Sequence, residues 1–321
     1  MDSTPDSALV PRPDRDDPAA PGTRAGTVAL VGYPNAGKSS LMNRLLDQKL
    51  SIVTPLAQTT RERVMGIDTR DGVQMVFVDT PGLVEPRYLL HRSMLHLATE
   101  VIADADVVLL LVDAAAYQGV PEFSPDVLGL LARARSLIVV ANKVDTASAA
   151  QVQVVSEWAR ERFGAAAAAV SAVSGQGVEA LRAEIARRLP ESPFLYPEDD
   201  VSSQPVRFFV AELVRESAFE LFEKEVPYSV AVKVDEFREG SLPLYIRATV
   251  FVERASQKAI VIGSAGKAIR QLGESARRKI EDFVGSPVYL DLWVKVLPRW
   301  RKDALSLQRL GFPTPNPEQR T

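Results

Sequence analysis

The segment Gly32-Tyr33-Pro34-Asn35-Ala36-Gly37-Lys38-Ser39 narrows the folds open to this chain more than any other. It spells Gly, four residues, Gly-Lys-Ser, and it follows an apolar run (27–32) and opens an amphipathic one (38–46). A loop of this kind bends so that successive backbone N–H groups face phosphate oxygens at the positive end of a helix. It therefore requires a strand, a tight turn and a helix in direct succession, the first half of a parallel crossover unit.

The rest of the first two thirds repeats that alternation. Apolar runs at 64–69, 73–79, 107–112, 136–141 and 166–171 predict strands, and amphipathic stretches at 91–103, 122–134, 149–163 and 177–189 predict helices. Such alternation builds a mostly parallel sheet with helices on both faces, the α/β class. The runs 64–69 and 73–79 are too close for a crossover helix, so they pair as a hairpin around Asp71-Gly72. Residues 1–25, rich in Pro, Asp, Ser and Ala without hydrophobic period, read as a disordered tail. Residues 191–205, rich in Pro, Ser and acids, read as a linker between a domain at 26–190 and a smaller α+β domain at 206–312, with a tail at 313–321.

By itself the phosphate loop indicates a nucleoside triphosphate. Gly32, Asn35, Ala36, Gly37, Lys38, Ser39 and Ser40 would surround the phosphates; Lys38 would reach the β- and γ-phosphates, and Ser39 would give its hydroxyl to Mg2+. The base is set by Asn142-Lys143-Val144-Asp145 after the run 136–141. A carboxylate at Asp145 can accept from guanine N1–H and its exocyclic amine, a pair of donors adenine does not offer. Asn142 would either meet the base or brace the phosphate loop, the Lys143 stem would cover the ring face, and Ser171 and Ala172 would meet guanine O6 through the backbone. Asp79-Thr80-Pro81-Gly82 would place Asp79 at the metal through water and the Gly82 N–H at the γ-phosphate. In Gln58-Thr59-Thr60-Arg61 we favour Thr60 over Thr59 as the hydroxyl that joins Mg2+ only while the γ-phosphate is present. The catalytic set is then Lys38, Thr60 and Gly82, with GTP/GDP and Mg2+ as ligands. These motifs, in this order, resemble the translation-factor-related small GTPases. Leu83 stands where Ras-like members carry the glutamine that orients water, so intrinsic hydrolysis is expected to be slow.

Near-neutral overall charge hides a local excess: Gln257 to Lys302 holds ten Lys or Arg against four Asp or Glu. Within it, Gly263-Ser264-Ala265-Gly266 is a Gly-x-x-Gly loop between two predicted helices. Such a loop lets a nucleic-acid backbone approach closely. Lys258, Lys267, Arg270, Arg277 and Arg278 would meet phosphates. The order helix, strand, strand, helix, helix, strand is the type II KH topology. Trp293 alternates with apolar neighbours and reads as core, whereas Trp300 between Arg299 and Arg301 reads as a base-stacking candidate; His91 and His96 read as the surface of a helix.

Residues 26–312 resemble the Era family of bacterial GTPases. The resemblance rests on Leu41 after the phosphate loop, Gln58-Thr59-Thr60-Arg61, Asp79-Thr80-Pro81-Gly82-Leu83 and Tyr196-Pro197-Glu198-Asp199. It continues through Arg207-Phe208-Phe209-Val210-Ala211-Glu212, Val226-Pro227-Tyr228-Ser229 and Leu292-Trp293-Val294-Lys295-Val296. It implies a P-loop GTPase domain followed by a KH domain that binds the 3′ end of small-subunit (16S) ribosomal RNA. The implied role is in 30S subunit assembly, as a cytoplasmic monomer without a DNA partner. Peripheral contact with the inner membrane face is associated with the family, and no residue here carries it. Two departures stand out: Ser264 and Ala265 are neutral where the family has a lysine, and Ser40 replaces a threonine. The competing reading is a GTPase of protein or membrane traffic with a protein-binding C-terminal domain, and the basic excess argues against it. An RNA-modification GTPase would need a cofactor domain or a reactive cysteine, and the chain has no cysteine.

Overall fold

The computed structural model describes residues 22–56, 58–116, 121–240 and 242–313, so nearly all of the two expected tails lies outside the described residues. The chain forms two compact units. The first runs to Ser203, and the second begins at Gln204 but also takes in two earlier segments, Ile52–Thr59 and Glu85–Met94.

In the first unit, β1 (Arg24–Gly32), β2 (Val64–Arg70), β3 (Val73–Asp79), β4 (Val107–Asp113), β5 (Leu137–Asn142) and β6 (Ala168–Ala169) form one sheet in the order β2-β3-β1-β4-β5-β6. All neighbours are parallel except β2 and β3, which form the expected antiparallel hairpin. Asp71 and Gly72 turn it with φ of 52° and 76°, the twist that two-residue hairpins favour. The helices are α1 (Lys38–Leu46), α2 (Leu89–Asp104), α3 (Pro125–Leu131), α4 (Ala149–Phe163) and α5 (Val178–Arg188). Ala29, Val31, Val76, Val78, Val108 and Leu110 point into a core shared with α2, α3 and α4. Their strand neighbours Val28, Leu30, Phe77, Leu109 and Leu111 are just as buried on the other face. Continuous apolar strands thus mark a sheet covered on both sides.

Two elements are shorter than expected. α3 starts only at Pro125, because the Ser124 hydroxyl accepts the Val127 N–H as N-cap and Pro125 suits the first helical position. β6 shrinks to two residues, in an alanine-rich run with little to pack on a pleated surface. The segment expected as a linker is fixed to the first unit. Gln74, fully buried, holds Leu195 N–H at 2.7 Å and Tyr196 N–H at 3.0 Å through its oxygen, and donates to Tyr196 O at 2.8 Å. Val201 O accepts the Ile67 N–H at 2.9 Å, so this strap satisfies part of the otherwise open edge of β2.

The second unit contains α6 (Val206–Leu221), α7 (Val226–Ser229), β7 (Ala231–Arg238), β8 (Leu244–Val252), α8 (Ala255–Ile262), α9 (Lys267–Val284), β9 (Val288–Val296) and α10 (Ala304–Arg309). Its sheet runs β7-β8-β9, with β7 antiparallel and β9 parallel to β8. β7 starts only at Ala231, since Val226–Ser229 closes a helical turn with Pro227 in its first turn. Val210, Val214, Ile246, Val250, Leu272, Ala276, Ile280 and Val294 make its core. A smaller cluster joins Leu90 and Met94 to Ala231, Trp300, Leu307 and Phe312.

Candidate functional site

The phosphate loop is shaped by residues that carry no side chain in its way. Gly37 has φ of 90°, and a Cβ there would lie 2.2 Å from Asn142 Nδ2; a Cβ on Gly32, φ 150°, would lie 2.4 Å from Leu111 O. Asn35 also takes a positive φ, 64°. Lys38, the first residue of α1, is buried, and its Nζ donates to Tyr33 O at 3.1 Å and Gly32 O at 3.3 Å. Burial pulls its pKa down to about 8, and the neighbouring Asp79 opposes that shift. A lysine folded back onto its own loop carbonyls is poised to exchange them for phosphate oxygens.

Ser39, Thr60 and Asp79 meet at one point. Ser39 Oγ donates to Asp79 Oδ2 at 2.6 Å, Ser39 and Thr60 hydroxyls are 3.1 Å apart, and Thr60 Oγ1 is 3.3 Å from Asp79 Oδ2. The other carboxylate oxygen, Asp79 Oδ1, is buried without a hydrogen bond. Burial raises the Asp79 pKa, and Lys38 works against that rise. Three hard oxygen donors with one carboxylate oxygen unsatisfied suit an Mg2+ ion. Thr59, in contrast, turns away, its hydroxyl donating to Leu56 O at 2.8 Å. The Leu83 N–H donates to Gly32 O at 3.0 Å and its side chain is core, so residue 83 offers no polar group to water. A Cβ on Gly82 would come within 2.8 Å of Pro34 N, which shows how closely the segment after β3 lies on the phosphate loop.

At the end of β5, Asn142 hydrogen-bonds to two loops. Its Nδ2 donates to Ala36 O at 2.9 Å and its Oδ1 accepts the Ala172 N–H at 3.2 Å. The side chain is 1% exposed and ties the phosphate loop to the 171–172 turn, the geometry of a brace. Lys143 takes φ of 65°, and its Nζ pairs with Asp113 Oδ2 at 2.6 Å. Asp145 is exposed, with its carboxylate open to a ligand. Ser171 Oγ accepts the Ser174 N–H, and Arg44 from α1 donates to Ala172 O and Val173 O, shaping the turn. Ser40 lies in the first turn of α1, half-buried. Asp113, Arg44 and Tyr33 belong to this frame although the sequence did not single them out. The Tyr33 ring stacks on Phe123 at 4.6 Å and its hydroxyl donates to Glu122 O at 2.8 Å.

In the second unit, Gly263 ends α8 and Gly266 opens α9, with Ser264–Gly266 forming a 3-10 turn between them. Gly263 has φ 72° and ψ 174°, a conformation essentially confined to glycine. Ala265 takes φ of 50° and Gly266 φ of 74°. Lys267, Arg270, Arg277 and Arg278 are exposed along α9, and Lys258 is half-buried on α8. Ile260, on α8 between Lys258 and the loop, is 49% exposed.

Three sequence expectations are reversed. Trp300 is fully buried, its Nε1 donating to Ser229 O at 2.8 Å, and so cannot stack on a base. Trp293 is 53% exposed on β9 and is not core. His91 is 5% exposed, not a surface residue: Nε2 lies 3.1 Å from Gln58 Oε1 and Nδ1 accepts the Arg87 N–H at 3.4 Å. His96 is only half-buried and pairs with Glu100 one turn on.

Comparison with known proteins agrees with this geometry. Residues 27–143 match the family model of the 50S ribosome-binding GTPases, and residues 225–301 match that of the KH domain. GTPase Era of Desulfovibrio desulfuricans is 40% identical over 302 residues, spanning 90% of this chain and 97% of that protein. The chain belongs to the Era family of GTPases. Era of Halothermothrix orenii is 41% identical over 292 residues, covering 90% of this chain and 98% of the relative. Among solved structures, an Aquifex aeolicus Era variant bound to GDP and AlF4− superposes with a TM-score of 0.82 at 37% identity, over 90% of this chain and 99% of that one. An Era complex with MgGDPNP and nucleotides 1506–1542 of 16S ribosomal RNA gives a TM-score of 0.84 at 36% identity, over the same shares of the two chains.

Proposed function

We propose that this Era-family chain is a slow GTP-hydrolysing switch that binds the 3′ end region of 16S ribosomal RNA through its KH domain during 30S subunit assembly. The observation that carries the reading is the meeting of Ser39, Thr60 and buried Asp79 beside Lys38, in the same chain as a glycine-shaped loop flanked by exposed basic residues.

In this reading Gly32, Asn35, Ala36, Gly37 and Ser40 cradle the phosphates with backbone N–H groups, and Lys38 leaves Gly32 O and Tyr33 O to neutralise the β- and γ-oxygens. Ser39 and Thr60 through their hydroxyl oxygens, and Asp79 through its carboxylate, would hold Mg2+, which when bound would supply positive charge to offset the negative charge that develops during transfer. Thr60 joins only in the triphosphate state, and the Gly82 N–H donates to the γ-phosphate. Asp145 pairs with the guanine edge, Lys143 lies along the base while Asp113 holds its ammonium, and Ser171 and Ala172 present backbone N–H groups to O6. Asn142 acts as the brace between base and phosphate subsites. With Leu83 buried, water is oriented by something other than residue 83, which suits a timer more than a metabolic enzyme.

At the other unit, Gly263 to Gly266 admit the RNA backbone, and Lys258, Lys267, Arg270, Arg277 and Arg278 meet phosphates. The decisive experiment titrates RNA copying nucleotides 1506–1542 of 16S ribosomal RNA against the full chain. It is run with GDP and with a non-hydrolysable GTP analogue, across a salt series. Salt-sensitive binding that favours the analogue supports the switch. Binding that is absent in both nucleotide states would remove the RNA partner and favour a protein-traffic GTPase.

A further inference from the structure

We infer that the outward face of the second unit's sheet is a stacking platform for unpaired RNA bases, separate from the Gly-x-x-Gly loop. The inference rests on the RNA-binding reading above and extends it to a new surface.

Tyr289 and Trp293 are 59% and 53% exposed. They are four residues apart on β9, so both rings leave the same side of the strand, while Val288 and Val294 point to the helices and are buried. On the neighbouring strand Tyr245 is in register with Tyr289, their rings 5.8 Å apart and within 12° of parallel. Arg238 and Arg247 lie over the Tyr245 ring, 4.8 and 5.7 Å from its centroid. Trp293 Nε1 donates to Asp291 Oδ2 at 3.0 Å, which satisfies the indole's one polar atom and fixes its edge. Asp291 and Glu236 are engaged by Arg247.

Large aromatic surfaces left in water, held rigid and bordered by arginine, are what sequence-tolerant binding of unpaired nucleic acid uses. Sheets with aromatics on adjacent strands stack two or three bases in this way. A protein partner would call for aliphatic side chains on the same face. Here Val232, Val234, Ile246, Leu290 and Leu292 all pack against the core on the opposite side. Lys233 and Arg238 on β7 and Lys295 on β9 are exposed and give the phosphates partners. A Gly-x-x-Gly loop clamps about four nucleotides. The RNA solved with an Era relative runs from nucleotide 1506 to 1542, leaving ample chain for a second surface.

The test titrates that same RNA sequence against the full chain carrying the GTP analogue, read by both anisotropy and tryptophan fluorescence. Trp158 and Trp300 are 8% and 0% exposed, so quenching reports on Trp293. Quenching is expected in the wild type. Trp293→Ala and Tyr289→Ala should each weaken affinity about tenfold. Trp293→Phe should restore most of that affinity without the quenching. Gly266→Asp, which blocks the loop, should weaken binding while quenching persists at saturating RNA. Tight binding without quenching, unchanged in Trp293→Ala, would overturn the platform and leave the Gly-x-x-Gly reading standing. Alanine variants that keep RNA affinity but lose co-sedimentation with 30S subunits would make this a protein-docking face instead. No RNA binding by any form would overturn both readings.

Discussion

Replacing Asn142 separates a structural brace from a base contact. Its amide bonds Ala36 O at 2.9 Å and Ala172 N–H at 3.2 Å. Alanine leaves both groups without those partners, at about 1–3 kcal/mol for each buried group left unpaired. Ala36 is 2% exposed and cannot recover a water, whereas Ala172 is half-buried and regains part of the loss. The nucleotide-free protein should therefore lose about 2–4 kcal/mol. In urea unfolding of the first unit followed by circular dichroism, that is a midpoint shift of about 1 M or more. Asn142→Asp should be worse than Asn142→Ala despite its identical size, because it sets a carboxylate oxygen against the Ala36 carbonyl. GDP affinity should fall with stability in both variants. An unchanged unfolding midpoint in nucleotide-free Asn142→Ala, together with weaker GDP binding, would refute the brace and return Asn142 to the base.

Gly82→Ala forces a methyl to within 2.8 Å of Pro34 N, so GTP turnover should drop about tenfold or more while GDP affinity stays near wild type; unaltered turnover would mean the segment yields freely. The two loop glycines should differ: Gly263→Ala meets Ala268 Cβ at 2.7 Å in a glycine-only conformation and should cost about 1–3 kcal/mol of stability. Gly266→Asp meets nothing within 4 Å and bears only the strain of its positive φ, so it should lose less stability than Gly263→Ala while losing more RNA affinity; the opposite order in thermal unfolding and RNA titration would overturn this. Asp145→Asn should erode the preference for guanine over xanthine nucleotides, and a competition assay showing intact preference would remove Asp145 from the base site. Trp300→Phe should lower stability by about 1–3 kcal/mol through loss of the bond to Ser229 O and of packing volume, measurable by denaturant unfolding.

The nucleotide site was legible because its chemistry is local. Glycines at 32 and 37, the lysine and serine that follow, and Asp79 at a strand end are fixed by backbone geometry within a few residues, and the parallel sheet brings the strand ends together. What stayed hidden depends on tertiary neighbours. Nothing near Lys143 in sequence announces Asp113, which sits at the end of the adjacent strand. Gln74 reads as an ordinary strand residue until the 195–196 backbone is found against it. The tryptophans failed for different reasons. In Leu290-Asp291-Leu292-Trp293-Val294-Lys295 the aliphatic residues hold one parity, and reading Trp293 by its own apolar character set that alternation aside. The parity shared by Asp291, Trp293 and Lys295 was the signal that would have assigned its face. Trp300 lies in a 3-10 turn, where flanking arginines say little about where the middle side chain goes.

The allotment of Ile52–Thr59 and Glu85–Met94 to the second unit bears on how the protein can be dissected in the laboratory. A fragment ending at Ser203 would keep every phosphate- and base-site residue in its sequence. It would also shed the partners of Leu90 and Met94, and the Glu216 carboxylate that accepts the Val53 N–H. Amide exchange in such a fragment should speed up at 52–59 and 85–94 far more than in β1, β4 or β5, and its GTPase kinetics would describe a domain whose segments beside Thr60 and Gly82 have lost their packing. Rates measured on the truncated protein are therefore no proxy for those of the whole.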